Sequence, residues 1–315
     1  YIQLNIKGKK MRVDFNSHFA NLVKINQSLR QGVLKHYQRI GLTYVDVPEI
    51  VGITGACENI DTLFKIQNRL SLPLFFTQTG QLSLEQSLQS FAGACTIINS
   101  SRDEELEDAR HLRQFKLIEE EFGCSLAGMA RKNYDEEKMY KELLNHIEMA
   151  IKAMIREVLE NNSQVLQKFY RRSLKTLQTV INQPFFRISY EEAIKVLNSS
   201  GYPQIKFGDD LKAKHEALIV RYLNKKGCER PVFIMEYPKE IKFFNMKTSS
   251  RDPRLVLSAD LILPYAGEGV GSAVREHEFE KLNRRLLESQ MYKFHLKRGG
   301  KYRDFKWYLD IVKNK

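Results

Sequence analysis

The feature that most constrains the fold is the change of hydrophobic rhythm along the chain. Met139, Leu143, Ile147, Ile151, Met154 and Val158 recur at steps of three and four between Glu136 and about Arg172. That is the spacing of one helix face, and such a stripe serves a core far more often than a cofactor. Phe15, Phe19, Leu22, Leu29, Val33, Tyr37 and Ile40 repeat the pattern with one longer gap, and Gly41 closes it. Strand-like runs stand between the helices: Tyr1–Val13 (broken at Gly8), Leu42–Pro48, Leu74–Thr77, Ala94–Asn99, Pro231–Glu236 and Leu255–Leu263. Pro184 ends the long helical stretch. Ile188-Ser189-Tyr190 opens a small helix-rich unit reaching about Leu223, and a further helix is expected from Glu276 to about Leu287. There is no internal repeat. Helices separated by short strands without a regular βαβ rhythm predict an α+β fold, an antiparallel β-sheet flanked by helices.

Composition narrows the function classes. The chain has 315 residues, 43% apolar and 10% aromatic, which excludes a disordered linker and supports a sizeable core. That length fits one large domain or two smaller ones. No apolar run approaches the roughly 18 residues of a membrane span. Tyr1-Ile2-Gln3-Leu4 carries no Met, basic segment or apolar core of a leader. The four cysteines Cys57, Cys95, Cys124 and Cys228 form no close-spaced pair, so buried thiols in a reducing compartment are expected and zinc is not. A net charge of +12 suits a polyanionic partner, although lysines on helix faces serve solubility equally well.

The most informative stretch runs from Ser101-Arg102-Asp103-Glu104 through Arg110-His111 to Phe115. A strand–loop–strand hairpin points Arg102 and Glu104 to one face and lays Phe115 across from them. Arginine binds phosphate oxygens bidentately, glutamate accepts from an exocyclic amine and an aromatic ring stacks on a base. Those are the parts of an ATP site. Taken alone, the charges read equally well as a solvated surface loop.

This stretch resembles motif 2 of the class II aminoacyl-tRNA synthetases, in the version of the aspartate/asparagine subgroup. Further resemblances follow in order. Pro48 stands where the motif 1 proline falls, Cys57-Glu58 and Thr62-Leu63-Phe64 resemble an acidic turn, and Thr77–Glu85 resembles the segment that holds the amino acid. Pro184–Ile194 and Phe207–Leu211 look like the asparaginyl insertion, and Arg230–Lys242 resembles that enzyme closely. Asp260–Pro264, Gly267-Glu268 and Arg275-Glu276 continue the match.

The resemblance implies a class II synthetase catalytic fold over residues 1–315, with a helical insertion at about 136–225. It implies ATP and Mg2+ as cofactors and activation of L-asparagine to asparaginyl-adenylate, followed by transfer to tRNA(Asn), the reaction of an AMP-forming asparagine–tRNA ligase. Arg102 would bridge the amino-acid carboxylate and the α-phosphate, Glu104 would read the adenine amine, Arg110 and His111 would hold the outer phosphates, and Phe115 would stack on adenine. Glu268 would carry magnesium. Arg275 would read the substrate's side-chain oxygen as donor and Glu85 would accept from its amide, with Gln81 as a third contact. An amide both donates and accepts, so this pair suits asparagine, whereas aspartate would set a second carboxylate against Glu85. Glu85 on a surface helix turn is the plainer alternative.

A homodimer through the motif 1 region, a cytoplasmic setting (an organellar form being left open) and no membrane association are also expected. Lys293, Lys297, Arg298, Lys301 and Arg303 form the densest basic cluster, fit for backbone phosphates or simply a solvated loop. Several positions depart from the family pattern: Glu236 for aspartate, Asn245 for tyrosine, and Gly271-Ser272-Ala273-Val274 for a Gly-Gly-Ser-Gln type of stretch. Neither the glycine-rich motif 3 segment nor an anticodon-binding barrel is recognisable in residues 1–315, and a cut at both ends is the expected account. Two other readings stay open: a tRNA-independent paralogue that activates aspartate, as archaeal-type asparagine synthetases do, and a catalytically weakened binding or regulatory paralogue.

Overall fold

In the computed structural model, residues 17–52, 62–69, 74–103, 112–202, 204–224, 228–297 and 299–313 are described. The expected strand at Tyr1–Val13, the turn at Cys57-Glu58, and Glu104, Arg110, His111 and Arg298 lie outside them.

The first apolar stripe forms α1 (Ser17–Arg39). Gly41 ends it at φ +84°, a left-handed conformation that glycine adopts without a Cβ penalty. The second stripe forms α3 (Glu136–Gln164), started by Asp135, whose side chain accepts from the backbone N–H groups of Glu137 and Lys138. The two helices approach closely at Gly32, where a Cβ would lie 2.7 Å from the carbonyl oxygen of Ala153. Val33, Tyr37, Leu42, Cys95 and Ala150 share the core between them.

The helical stretch is shorter than the sequence pattern suggests. After Gln164 the chain widens into a π-helical turn, Val165–Phe169, and Arg171 takes a φ of 50°. Ser163, whose hydroxyl donates back to the Leu159 carbonyl, is the kind of residue that loosens a helix end. A separate helix α4 (Leu174–Asn182), capped by Ser173, then runs up to Pro184.

The sheets are mixed rather than wholly antiparallel. β5 (Gly93–Ser101) pairs antiparallel with β6 (Gln114–Phe122), and β1 (Thr43–Tyr44) runs parallel to β5. The expected strand at Leu42–Pro48 reduces to those two residues and one further bond from Val45 N–H to the Cys95 carbonyl. Pro48, which has no N–H, cannot extend the ladder. β2 (Ile50–Val51), β4 (Leu74–Phe76) and β3 (Lys65–Ile66) make a small antiparallel patch, and α2 (Gln81–Ser87) follows β4.

The central sheet has the order β10 (Gly267–Ala273), β9 (Ser258–Leu263), β8 (Val232–Met235), β7 (Phe186–Ser189), with β7 and β8 parallel. Alternation along its strands splits the core. Phe233 and Leu261 pack with Tyr140, Leu144 and Ile147 of α3, while Val232, Ile234 and Ile262 pack under α5 (Tyr190–Ser199) and α6 (Ala213–Leu223). A further core, with Leu282, Leu286, Phe305 and Tyr308, joins α7 (Phe279–Glu288), α8 (Gln290–Lys297) and α9 (Lys306–Lys313) to Leu82 of α2. That packing brings the last helix against the start of α2. No helix among the described residues is long and apolar enough to cross a membrane.

Candidate active site

The expected hairpin is present, and its register defines the cleft. Phe115 lies opposite Ser100, and the backbone N–H of Arg102 donates to the Arg113 carbonyl at 2.9 Å. The Arg102 guanidinium sits 5.4 Å from the centre of the Phe115 ring, and its Nε is buried with no hydrogen-bond partner among the described residues. Side chains of a strand repeat every two residues, so Phe115, Glu119 and Glu121 share one face of β6.

Those glutamates organise the start of α2. Glu119 accepts from the Gly80 N–H at 2.7 Å and from the Thr79 hydroxyl. A carboxylate at a helix N-terminus is favoured by the dipole and the free N–H groups. Gln81 Nε2 donates to Glu121 Oε1 at 3.0 Å. One turn further, Glu85 is 6% exposed and stands 3.2 Å from Arg275 Nε, while Arg275 Nη2 reaches Glu121 at 3.3 Å. Tyr308 of α9 donates its hydroxyl to Glu85 Oε2 at 2.7 Å, and Asn245 Nδ2 stands 3.5 Å from Glu85 Oε1. Burial pushes the Glu121 carboxyl up to about 8, with Arg275 opposing and the Glu85 and Glu119 carboxylates adding to the rise.

The cleft's other wall is the end of the central sheet. Lys242 Nζ holds Asp260 Oδ2 at 2.6 Å, and a Cβ at Gly271 would lie 3.0 Å from Glu268 Oε1 and 3.9 Å from Asp260 Oδ1. Two carboxylates therefore close over a residue that offers no side chain. Crowding by protein atoms, then the Asp260 charge, raises the Glu268 carboxyl to about 7, against the pull of Lys242 and Arg102, although Glu268 still reaches solvent. A pair of hard oxygen donors at the mouth of a cleft fits a magnesium ion that keeps its remaining positions for water and phosphate.

The structure gathers Gln81, Glu85 and Arg275 around Glu121 and sets Arg102 beside Phe115 with its charge acting on Glu268, while Glu104, Arg110 and His111 lie outside the described residues. Glu121, Tyr308 and Asp260 were not singled out from the sequence. Counting in twos from Phe115 would have found Glu121, whereas Lys306–Asp310 resembles the tract just before the family's motif 3 without marking Tyr308 for the pocket. Two of the departures fit the surrounding structure: Ser272 Oγ donates to the Ala259 carbonyl at 2.7 Å, and Val274 enters the core under α3.

The opposite face of β6 carries Glu120, buried beside Tyr37 and 4.0 Å from His146 Nδ1. Burial raises its carboxyl to about 7, partly offset by the Tyr37 hydroxyl. A carboxyl raised above its unfolded value of about 4.5 makes the fold less stable as pH rises from there towards 7. Glu120→Gln should therefore raise the denaturation midpoint at pH 8 and leave it nearly unchanged at pH 4. Equal effects at both pH values would contradict this account.

Residues 3–314 match the family described as class II tRNA synthetases (D, K and N). The chain belongs to that family. The asparagine–tRNA ligase of Thermococcus kodakarensis is 32% identical over 295 residues, 93% of this chain and 61% of the relative. That of Pyrococcus abyssi is 32% identical over 314 residues, 99% of this chain and 63% of the relative. The crystal structure of asparaginyl-tRNA synthetase from Pyrococcus horikoshii complexed with asparaginyl-adenylate superposes with a TM-score of 0.78 at 30% identity, covering 94% of this chain and 61% of that one. The chain therefore spans about three fifths of the length of these class II synthetases.

Proposed function

We propose that the chain is the amino-acid-activating domain of an asparagine–tRNA ligase. The observation that carries this reading is the buried pairing of Glu85 with Arg275, a fixed acceptor beside a fixed donor, as a carboxamide side chain requires. In the reaction, an oxygen of the asparagine carboxylate attacks the α-phosphorus of ATP. The bond to the β-phosphate breaks, giving asparaginyl-adenylate and pyrophosphate. The tRNA 3′-terminal hydroxyl then attacks the carbonyl carbon, its proton is lost to solvent, and AMP leaves.

Such chemistry needs positioning and charge stabilisation rather than an acid–base triad. The Nε of Arg102, without a partner among the described residues, supports a role in bridging substrate carboxylate and α-phosphate, and the face of Phe115 supports adenine stacking. Glu104 for the adenine amine, and Arg110 and His111 for the outer phosphates, complete the ATP site. Glu268 would hold Mg2+, with Asp260 beside it, and the ion would neutralise phosphate charge when bound. Gln81 steadies Glu121 and borders the amino-acid pocket.

A twofold dimer is part of the proposal. Leu22 and Val23 of α1 remain 40% and 45% exposed beside a groove of about 340 Å3 lined by Ile25, Leu29 and Ile155. The cytoplasm is the proposed compartment. An amino-acid panel in ATP–pyrophosphate exchange, run on the full-length protein, tests the activity. Asparagine-dependent exchange with tRNA charging is expected. Aspartate-dependent exchange with ammonia-dependent AMP release would replace this reading with the tRNA-independent one, and no exchange with any amino acid would overturn both. Sedimentation of the same protein as a monomer would remove the dimer.

A further inference from the structure

Glu85 does more than offer an acceptor. A carboxylate can only accept, so it turns the amide of Asn245 until Nδ2 faces it, at 3.5 Å. The same orientation presents Nδ2 to the Tyr308 hydroxyl oxygen, which in turn donates to Glu85. The backbone on either side is fixed as well. The Asn245 carbonyl accepts from Glu276 N–H at 2.9 Å, and Met246 bridges to Arg275. With Nδ2 committed, Oδ1 is the atom left to be satisfied. Asn245 is completely buried, and this oxygen has no hydrogen-bond partner among the described residues. A buried carbonyl left so is costly unless something donates to it.

We propose that Asn245 is a specificity-determining residue whose Oδ1 accepts the second N–H of the substrate's side-chain carboxamide. This rests on the reading of the chain as an asparagine-activating enzyme. The carboxamide has two N–H donors and one oxygen, and the pocket then offers Glu85 and Asn245 as acceptors and Arg275 as donor. Aspartate meets two acceptors where it has no hydrogen to give. The resemblance implies a tyrosine at this position, whose hydroxyl would rotate to donate or accept and so reject neither substrate by itself. Asparagine in its place, locked by Glu85, accepts only.

The test uses full-length protein and calorimetric titration with asparagine, aspartate and ATP. Asn245→Leu keeps the branched shape and removes both polar atoms. It should weaken asparagine binding about tenfold and narrow the asparagine-to-aspartate preference, with ATP binding unchanged. A residue that merely fills space would shift both amino acids together. If the leucine variant loses ATP binding and is therefore misfolded, Asn245→Ala takes its place with the same expected change of ratio. Wild-type binding of asparagine with an unchanged preference in the variant would overturn the role of Asn245 alone. Absence of asparagine binding in the wild-type protein would overturn the activity reading and this inference together.

Discussion

Glu85→Lys is expected to reduce asparagine-dependent pyrophosphate exchange by at least about a thousandfold. Glu85 is the buried acceptor for Tyr308 at 2.7 Å and stands 3.2 Å from Arg275. Lysine would set a second cation against the Arg275 guanidinium, with too little water to screen the pair. Breaking a buried ion pair by removing one partner costs about 3–5 kcal/mol, which is roughly a hundred- to several-thousandfold in an equilibrium constant. The Tyr308 hydroxyl would also lose its acceptor. The milder Glu85→Gln keeps the shape and one acceptor oxygen, and a loss of about a hundredfold is expected there. Titration of ATP into both variants separates a damaged pocket from a damaged fold. Unchanged exchange with asparagine in Glu85→Lys would mean that Glu85 takes no part in choosing the amino acid.

Arg102→Ala carries the second large effect. Its guanidinium packs on Phe115, its Nε finds no partner among the described residues, and its charge acts on the Glu268 carboxyl. The denaturation midpoint should move by about 1 kcal/mol in stability, the scale of one cation–π contact. The rate of adenylate formation should fall by about two to three orders of magnitude, the cost of removing one donor aimed at developing phosphate charge. Arg102→Lys should recover little, because a single ammonium cannot span two oxygens as the planar fork does. A variant that unfolds easily while keeping its rate would reverse the assignment.

How far the sequence reached depended on how local each signal was. α1 and α3 declared themselves by apolar residues at steps of three and four, because a helix buries one face whatever it packs against. The break after Gln164 did not, since the π-helical turn and the left-handed Arg171 interrupt a stretch whose apolar pattern continues. The hairpin carrying Arg102 and Phe115 was legible for the same local reason, as its two strands and loop are consecutive. The parallel pairing of β7 with β8 was not, because it joins segments separated by two helices. In the pocket, Glu85 and Arg275 were found through resemblance to a family. Tyr308 and Asp260 required the fold, since their places depend on packing between distant elements.

The bond between Tyr308 and Glu85 joins residues 223 positions apart. Contacts of such long range close late, because the loop entropy of the intervening chain must be met first. The proposed amino-acid pocket is thus complete only when both ends of this long segment have come together, whether during synthesis or after denaturation. A nascent chain whose Tyr308 is still inside the ribosome has Gln81, Arg102 and Glu85 already outside, yet lacks the hydroxyl that fixes the acceptor. The selectivity proposed for this pocket would therefore depend on the finished tertiary structure.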